Sequence, residues 1–285
     1  MEFHSVKNRA ILVLVATLCG TGLTRAQTLT YNGSAQYARG NYFFTEQTGS
    51  FYLNNGMSIS GSGITLSINI PYIVQSSPWI SYSSHGLMPT GGPNNGSVSS
   101  KGDGQKSRGR RIDPGQADTI SYSEGSLGDP NMSGSFRLLN SGNGRITVSS
   151  NFNIKFPVAD PTSGYGTGSW DFGAGISIAQ RFGSRFVWLL DAMYWQLGDM
   201  DELEFKNPVS YSTGIGGFFA NTKWMITASF YGYTRILEDT DPPLSAGIGL
   251  GLSLSPTVQL TSNITVGLTE SVPDFSTGLG WSIKL

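Results

Sequence analysis

Apolar and polar residues alternate with a period of two along much of this chain. From Leu244 to Leu254 the even positions are Leu244, Ala246, Ile248, Leu250, Leu252 and Leu254, and each odd position between them is glycine or serine. From Val258 to Leu268, Val258, Leu260, Ile264, Val266 and Leu268 alternate with Gln259, Thr261, Asn263, Thr265 and Gly267. The closing segment puts Phe275, Leu279, Trp281, Ile283 and Leu285 on one face and Ser276, Gly278, Gly280, Ser282 and Lys284 on the other. The same rule reads Ile64–Ile70, Ile146–Phe156, Trp170–Ile178 and Trp224–Phe230, and less cleanly residues 29–45 and 186–196. A period of two is the signature of strands with two unlike faces.

The connections alternate between short and long. Asn140–Gly144, Gly183–Ser184, Asn221–Thr222 and Ser255–Pro256 are tight; Ser77–Leu127, Pro157–Thr167, Gly198–Pro208 and Ile236–Pro243 are longer and polar. Outer-membrane barrels combine short periplasmic turns with long outer loops, and lipid supplies no hydrogen-bond partner to an open sheet edge. The pattern therefore predicts an all-β fold: a closed antiparallel transmembrane barrel of about twelve strands over residues 27–285, in a bacterial outer membrane. Residues 77–127 form a long polar loop with a basic run, Lys101–Arg111. Aromatic residues gather at both strand ends, Phe136, Phe186, Trp188, Phe219, Trp224 and Trp281 near the short turns and Tyr72, Phe152, Phe156, Trp170, Phe172, Tyr194 and Tyr211 near the long loops, as two interfacial girdles require.

Residues 1–26 read as a secretory signal peptide. Lys7 and Arg9 precede the apolar run Ala10–Leu18, too short to span a bilayer as a helix, and Thr24-Arg25-Ala26 offers a cleavage site. A lipoprotein signal at Cys19 is the weaker alternative, since Leu18 stands where a small residue belongs. Cys19 is the only cysteine. Setting aside Lys7, Arg9, Arg25 and Glu2 leaves 15 basic and 18 acidic residues, which argues against a nucleic-acid partner. Mean hydropathy is only −0.11, as expected where apolar residues take alternate positions.

Beyond the signal, His85 is the lone histidine and has no clear strand position, so neither a hydrolytic triad nor a transition-metal site is expected. The acidic sets Asp199, Asp201, Glu202, Glu204 and Glu238, Asp239, Asp241 lack the spacing of a dedicated Ca²⁺ loop. No enzyme, metal or cofactor is predicted. The alternation does assign charges to the lumen face. Arg137, Arg145, Arg181, Lys223 and Lys284 lie near short turns and would ring the periplasmic mouth. Lys155, Asp171, Arg235 and Asp274 lie toward the other end, and Asp191 lies nearer the middle. Charged rings set pore preference, whereas charges that pair with one another merely fill the interior.

The stretch Phe152–Gly175 (FNIKFPVADPTSGYGTGSWDFGAG), the end Glu270–Leu285 (ESVPDFSTGLGWSIKL) and Gly128-Asp129 at the start of a strand together resemble the "MetA-pathway of phenol degradation" family. The resemblance covers roughly Gly128–Leu285. It implies an outer-membrane barrel transporting small solutes, with aromatic or hydrophobic ones suggested by the family name. The alternative is a non-conducting structural or surface-interaction barrel acting through its long loop. The partners expected are outer-membrane lipid and lipopolysaccharide, a small-molecule solute, and the barrel assembly machinery, which reads the final strand through Gly280, Ile283 and Leu285. Leu285 departs from the phenylalanine usual there.

Overall fold

The computed structural model describes residues 27–42, 47–76, 80–83, 86–88, 124–142, 144–159, 164–200, 203–238 and 240–285. The signal segment, Cys19, His85, the basic run, Asp201, Glu202 and Asp239 lie outside them. The strands are β1 (Thr28–Gly40), β2 (Thr48–Gly61), β3 (Ile64–Gln75), β4 (Ser81–Ser83), β5 (Gly86–Met88), β6 (Glu124–Leu127), β7 (Asn131–Asn140), β8 (Ile146–Lys155), β9 (Asp171–Phe182), β10 (Phe186–Gln196), β11 (Val209–Phe219), β12 (Trp224–Tyr233), β13 (Leu244–Ser253), β14 (Val258–Gly267) and β15 (Phe275–Lys284). Each strand pairs antiparallel with its sequence neighbour from β7 to β15. β15 pairs with β1, β1 with β2 and β2 with β3, and β3 closes the ring on β6 and β7. Because β6 and β7 share one row, the wall is a closed twelve-stranded barrel; β4 and β5 form a separate small hairpin.

Register fixes which face each residue takes. Ile248 sits opposite Ile264 and Leu252 opposite Leu260, while Gly249 faces Asn263 and Gly251 faces Thr261. The even set is outward: Ile248 is 64% exposed and Ile264 54%, exposures that belong against lipid rather than in a protein core. Outward aromatics mark both interfaces, with Phe186, Phe219 and Trp224 at the short-turn end and Tyr72, Phe172 and Tyr194 at the other. Trp170 stacks on Phe172 with centroids 6.1 Å apart. On that outward face Gly33 lies opposite Trp281 and Gly134 opposite Phe152, and each ring lies over its glycine so closely that a β-carbon would collide with it.

The obscure segments have physical reasons. In β10 both faces carry large residues, with Trp188, Leu190 and Tyr194 outside and Val187, Leu189, Met193 and Trp195 inside, so the period of two disappears. In β2 the outward row Phe51, Leu53, Met57, Ile59 is interrupted by Asn55, whose side chain accepts the Tyr31 hydroxyl at 2.7 Å. The β2–β3 turn has both Ser62 (φ 52°) and Gly63 (φ 84°) left-handed, as a two-residue hairpin requires.

One row of the wall is discontinuous. β3 pairs with β7 as far as Asn69 and with β6 from Tyr72 onward, and the change falls at Pro71, which has no N–H to donate. Gly128, Asp129 and Pro130 join β6 to β7 beside this break, with the Gly128 N–H donated to the Pro71 carbonyl at 2.9 Å.

Candidate functional site

The enclosed lumen is the candidate site, and its two halves differ. The inward side chains of the short-turn half are short and polar: Asn32, Ser34, Asn54, Ser58, Ser67, Asn69, Ser149, Asn151, Thr227, Thr261 and Asn263. They remain half-buried or exposed although they face inward, and Thr261 and Asn263 are exposed. Two strand positions nearer the long loops the same face is covered: Ser245, Thr265, Ser276, Ser50, Tyr52, Ile73 and Gln75 are buried. Among the described residues the lumen is therefore open toward the short turns, the periplasmic end in barrels of this class, and roofed at the outer end.

Loop residues make the roof. Tyr165 packs on Ala38, Tyr52 and Ile73, which point inward from β1, β2 and β3. Met88, Leu197 and Ile236 pack with Trp195, joined by Met193, Phe205 and Tyr233. Beneath them is a cavity of about 270 Å³ whose walls include Tyr52, Met88, Tyr231, Tyr233, Ile236 and Leu237. A second space of about 200 Å³ shares Tyr231 and Tyr233 with the wall of the first and is lined also by Asn151, Ser177, Asp191 and Ser212.

A buried ionic cluster ties the roof to the wall. Lys155, the last residue of β8, and Asp171, the first of β9, face each other in register with Nζ to carboxylate at 3.0 Å, and Asp129 reaches the same Nζ at 3.4 Å. Lys155 also donates to the Thr167 hydroxyl. The Asp129 carboxylate accepts the N–H groups of Val158 and Ala159, both at 2.9 Å, and of Thr167 at 3.3 Å, while Asp171 accepts that of Gly198 at 3.2 Å. All three charged groups are almost fully buried. Burying ions is costly unless every one is paired and hydrogen-bonded, and here two outer loops supply the missing donors.

The structure distributes the sequence-derived charges among four settings. Arg137, Arg145, Arg181, Lys223 and Lys284 are exposed at the short-turn end. Lys155 is spent on Asp171 and Asp129 together. Asp129 is absent from the sequence-derived charge set, because alternation says nothing about a residue in a break between strands; its one signal was the Gly128-Asp129 pair in the family resemblance. Arg235 and Asp274 are exposed at the outer end, Arg235 beyond β12 and Asp274 just before β15. Burial, and then the charge of Asp274, holds the nearby Tyr42 phenol above its ordinary range. On the roof, Lys206 pairs with Glu238, and that hydrogen bond holds the Glu238 carboxyl below its ordinary range. Asp191 stands inward in mid-wall, accepting the Ser212 hydroxyl at 3.0 Å.

Solved structures of similar shape are outer-membrane barrels. A COG4313 outer membrane channel from Pseudomonas putida F1 superposes with a TM-score of 0.65 at 10% identity, over 93% of this chain and 98% of its own. The CymD monoaromatic hydrocarbon channel gives 0.48 at 10% identity, over 92% and 89%. The toluene transporter TodX of P. putida gives 0.43 at 8% identity, over 91% and 90%. Among curated protein sequences none matches. The model of the family described as "Putative MetA-pathway of phenol degradation" matches residues 48–285, and the chain belongs to that family.

Proposed function

We propose that this family member is a channel of the bacterial outer membrane for small, largely apolar solutes, aromatic ones included. The carrying observation is the graded lumen. A mainly apolar cavity of about 270 Å³ lies under the roof, walled by Tyr52, Tyr231 and Tyr233 together with Gln36, Asn54 and several hydroxyls, and the lower lumen is lined by hydroxyls, amides and glycines. The upper space is of a size for one aromatic molecule, and the small side chains below leave free volume for passage. The description of the COG4313 relative as an outer membrane channel agrees with this function.

Residues 1–26 are removed in this account, and Gly280, Ile283 and Leu285 on β15 present the pattern read by the assembly machinery. Lipopolysaccharide surrounds the outer loops. Arg137, Arg145, Arg181, Lys223 and Lys284 give the periplasmic mouth a positive field that favours anions among conducted ions.

Planar-bilayer recording of the refolded barrel, with uptake of small aromatic solutes by a deletion strain, tests the function. Discrete ion currents and an uptake defect are expected. A folded, inserted barrel with neither points instead to a non-conducting barrel acting through its long outer loop.

A further inference from the structure

The inward acidic side chains of the described wall have different fates. Asp171 is neutralised by Lys155 and Asp274 lies exposed at the outer mouth. Asp191 is half-buried in mid-wall and forms no ion pair among the described residues. It interrupts a row of hydroxyls: across β8 to β13 one register line reads Ser149, Ser177, Asp191, Ser212, Tyr231, Ser245. One carboxylate oxygen accepts the Ser212 hydroxyl, which anchors the side chain. The space beside it, about 200 Å³, is bounded by Asn151, Ser177, Met193, Tyr231 and Tyr233, and the two tyrosines also form part of the wall of the larger cavity. Asn151 is already turned to Ser177, so the neighbouring amide is engaged elsewhere.

We infer that Asp191 is the recognition point of a binding subsite for small solutes with an apolar body and a hydrogen-bond-donating head, an ammonium group above all. A carboxylate with spare lone pairs accepts a charged donor more strongly than a neutral one and repels an anionic head. The tyrosines and Met193 then cover the hydrocarbon part, and tyrosine faces add attraction for a cation. The basic periplasmic rim does not cancel this site. Arg181 lies four residues along β9 from Ser177, the register partner of Asp191, about 13 Å at strand spacing and too far for a direct ion pair. Access of the solute to the subsite rests on the channel function proposed above; recognition by Asp191 does not.

The test is calorimetric titration of the full-length barrel, refolded in detergent, with four probes sharing one ring: benzylammonium, benzyl alcohol, toluene and benzoate. Asp191→Asn and Asp191→Glu variants are titrated alongside, with native folding checked by heat-modifiable migration. Micelle partitioning is common to wild type and variants and cancels in the comparison. The expected order is benzylammonium, then benzyl alcohol, then toluene, with benzoate weakest. Asp191→Asn should weaken benzylammonium binding by about ten-fold or more and leave toluene unchanged, and Asp191→Glu should retain the preference for the ammonium. Equal affinity for all four heads, or a benzylammonium affinity indifferent to Asp191→Asn in a folded barrel, overturns the assignment. A barrel that binds benzylammonium through Asp191 yet passes neither ions nor solutes overturns the channel function and leaves the subsite standing.

Discussion

The two halves of the lumen are built from one alternating pattern and end in opposite environments. Thr261 and Thr265 both point inward from β14; Thr261 is exposed and Thr265 is 8% exposed. On β3, Ser67 and Asn69 are half-buried whereas Ile73 and Gln75 are fully buried. Strand geometry is the same in each pair, so the difference comes from what the connections supply. The short turns leave the inward side chains of the lower lumen half-buried or exposed. The outer loops carry Tyr165, Leu197, Phe205, Ile236 and Leu237 into the upper one, and the Asp129–Lys155–Asp171 cluster fastens the two loops that bear Tyr165 and Leu197. Strand pattern dictates the wall; side chains from outside the pattern dictate how far the bore stays open.

The largest expected effect comes from breaking the outer half. Lys155→Met leaves two carboxylates in a buried site without their cation, which should cost roughly 3–5 kcal/mol in urea unfolding of the refolded barrel. Lys155→Arg should recover part of that loss. Thr261→Ala, at the open end, should lie within about 0.5 kcal/mol of wild type. Similar losses at both positions would remove the distinction between the halves.

A somewhat smaller effect separates the wall from its filling. Ile248→Lys puts a charge on the lipid face and should cost about 2–4 kcal/mol if it lies near the midplane. Asn263→Lys, facing the water-accessible lumen next to that position, should cost much less. An Ile248→Lys barrel as stable as wild type in bilayers would contradict the outward assignment.

The smallest effect is on permeation. Replacing Arg145, Arg181 and Lys223 together with glutamine should shift the reversal potential toward cations, with the difference from wild type shrinking as salt rises. An unchanged reversal potential in a conducting variant would mean that the rim charges do not face the ion path.

Much of the wall was legible in the residues. The glycine–serine row of β13 and the Thr–Asn–Gln row of β14 face the lumen as alternation requires, and the short turns after β7, β9, β11 and β13 all fall where the pattern breaks. β10 was obscure because it is apolar on both faces, and it is so because its inner side carries Met193 and Trp195 into the roof packing. The upper site was the least legible part. Lys155 and Asp171 stand opposite each other in register, and their burial depends on Asp129 and on backbone N–H groups of loops, which no periodicity encodes. That Asp191 forms no ion pair among the described residues was not legible in the sequence, since that depends on which arginines reach it.

The contrast between the halves is tested most directly by cysteine accessibility in the refolded barrel without residues 1–26, where no other cysteine competes. Single cysteines at Asn263 and Thr265, two residues apart on the same inward face of β14, are exposed to a membrane-impermeant maleimide in proteoliposomes. Fast labelling at Asn263→Cys and labelling at Thr265→Cys slowed by at least about ten-fold are expected if the bore is open below and roofed above. Equal labelling at the two positions, or protection of both, would contradict that account.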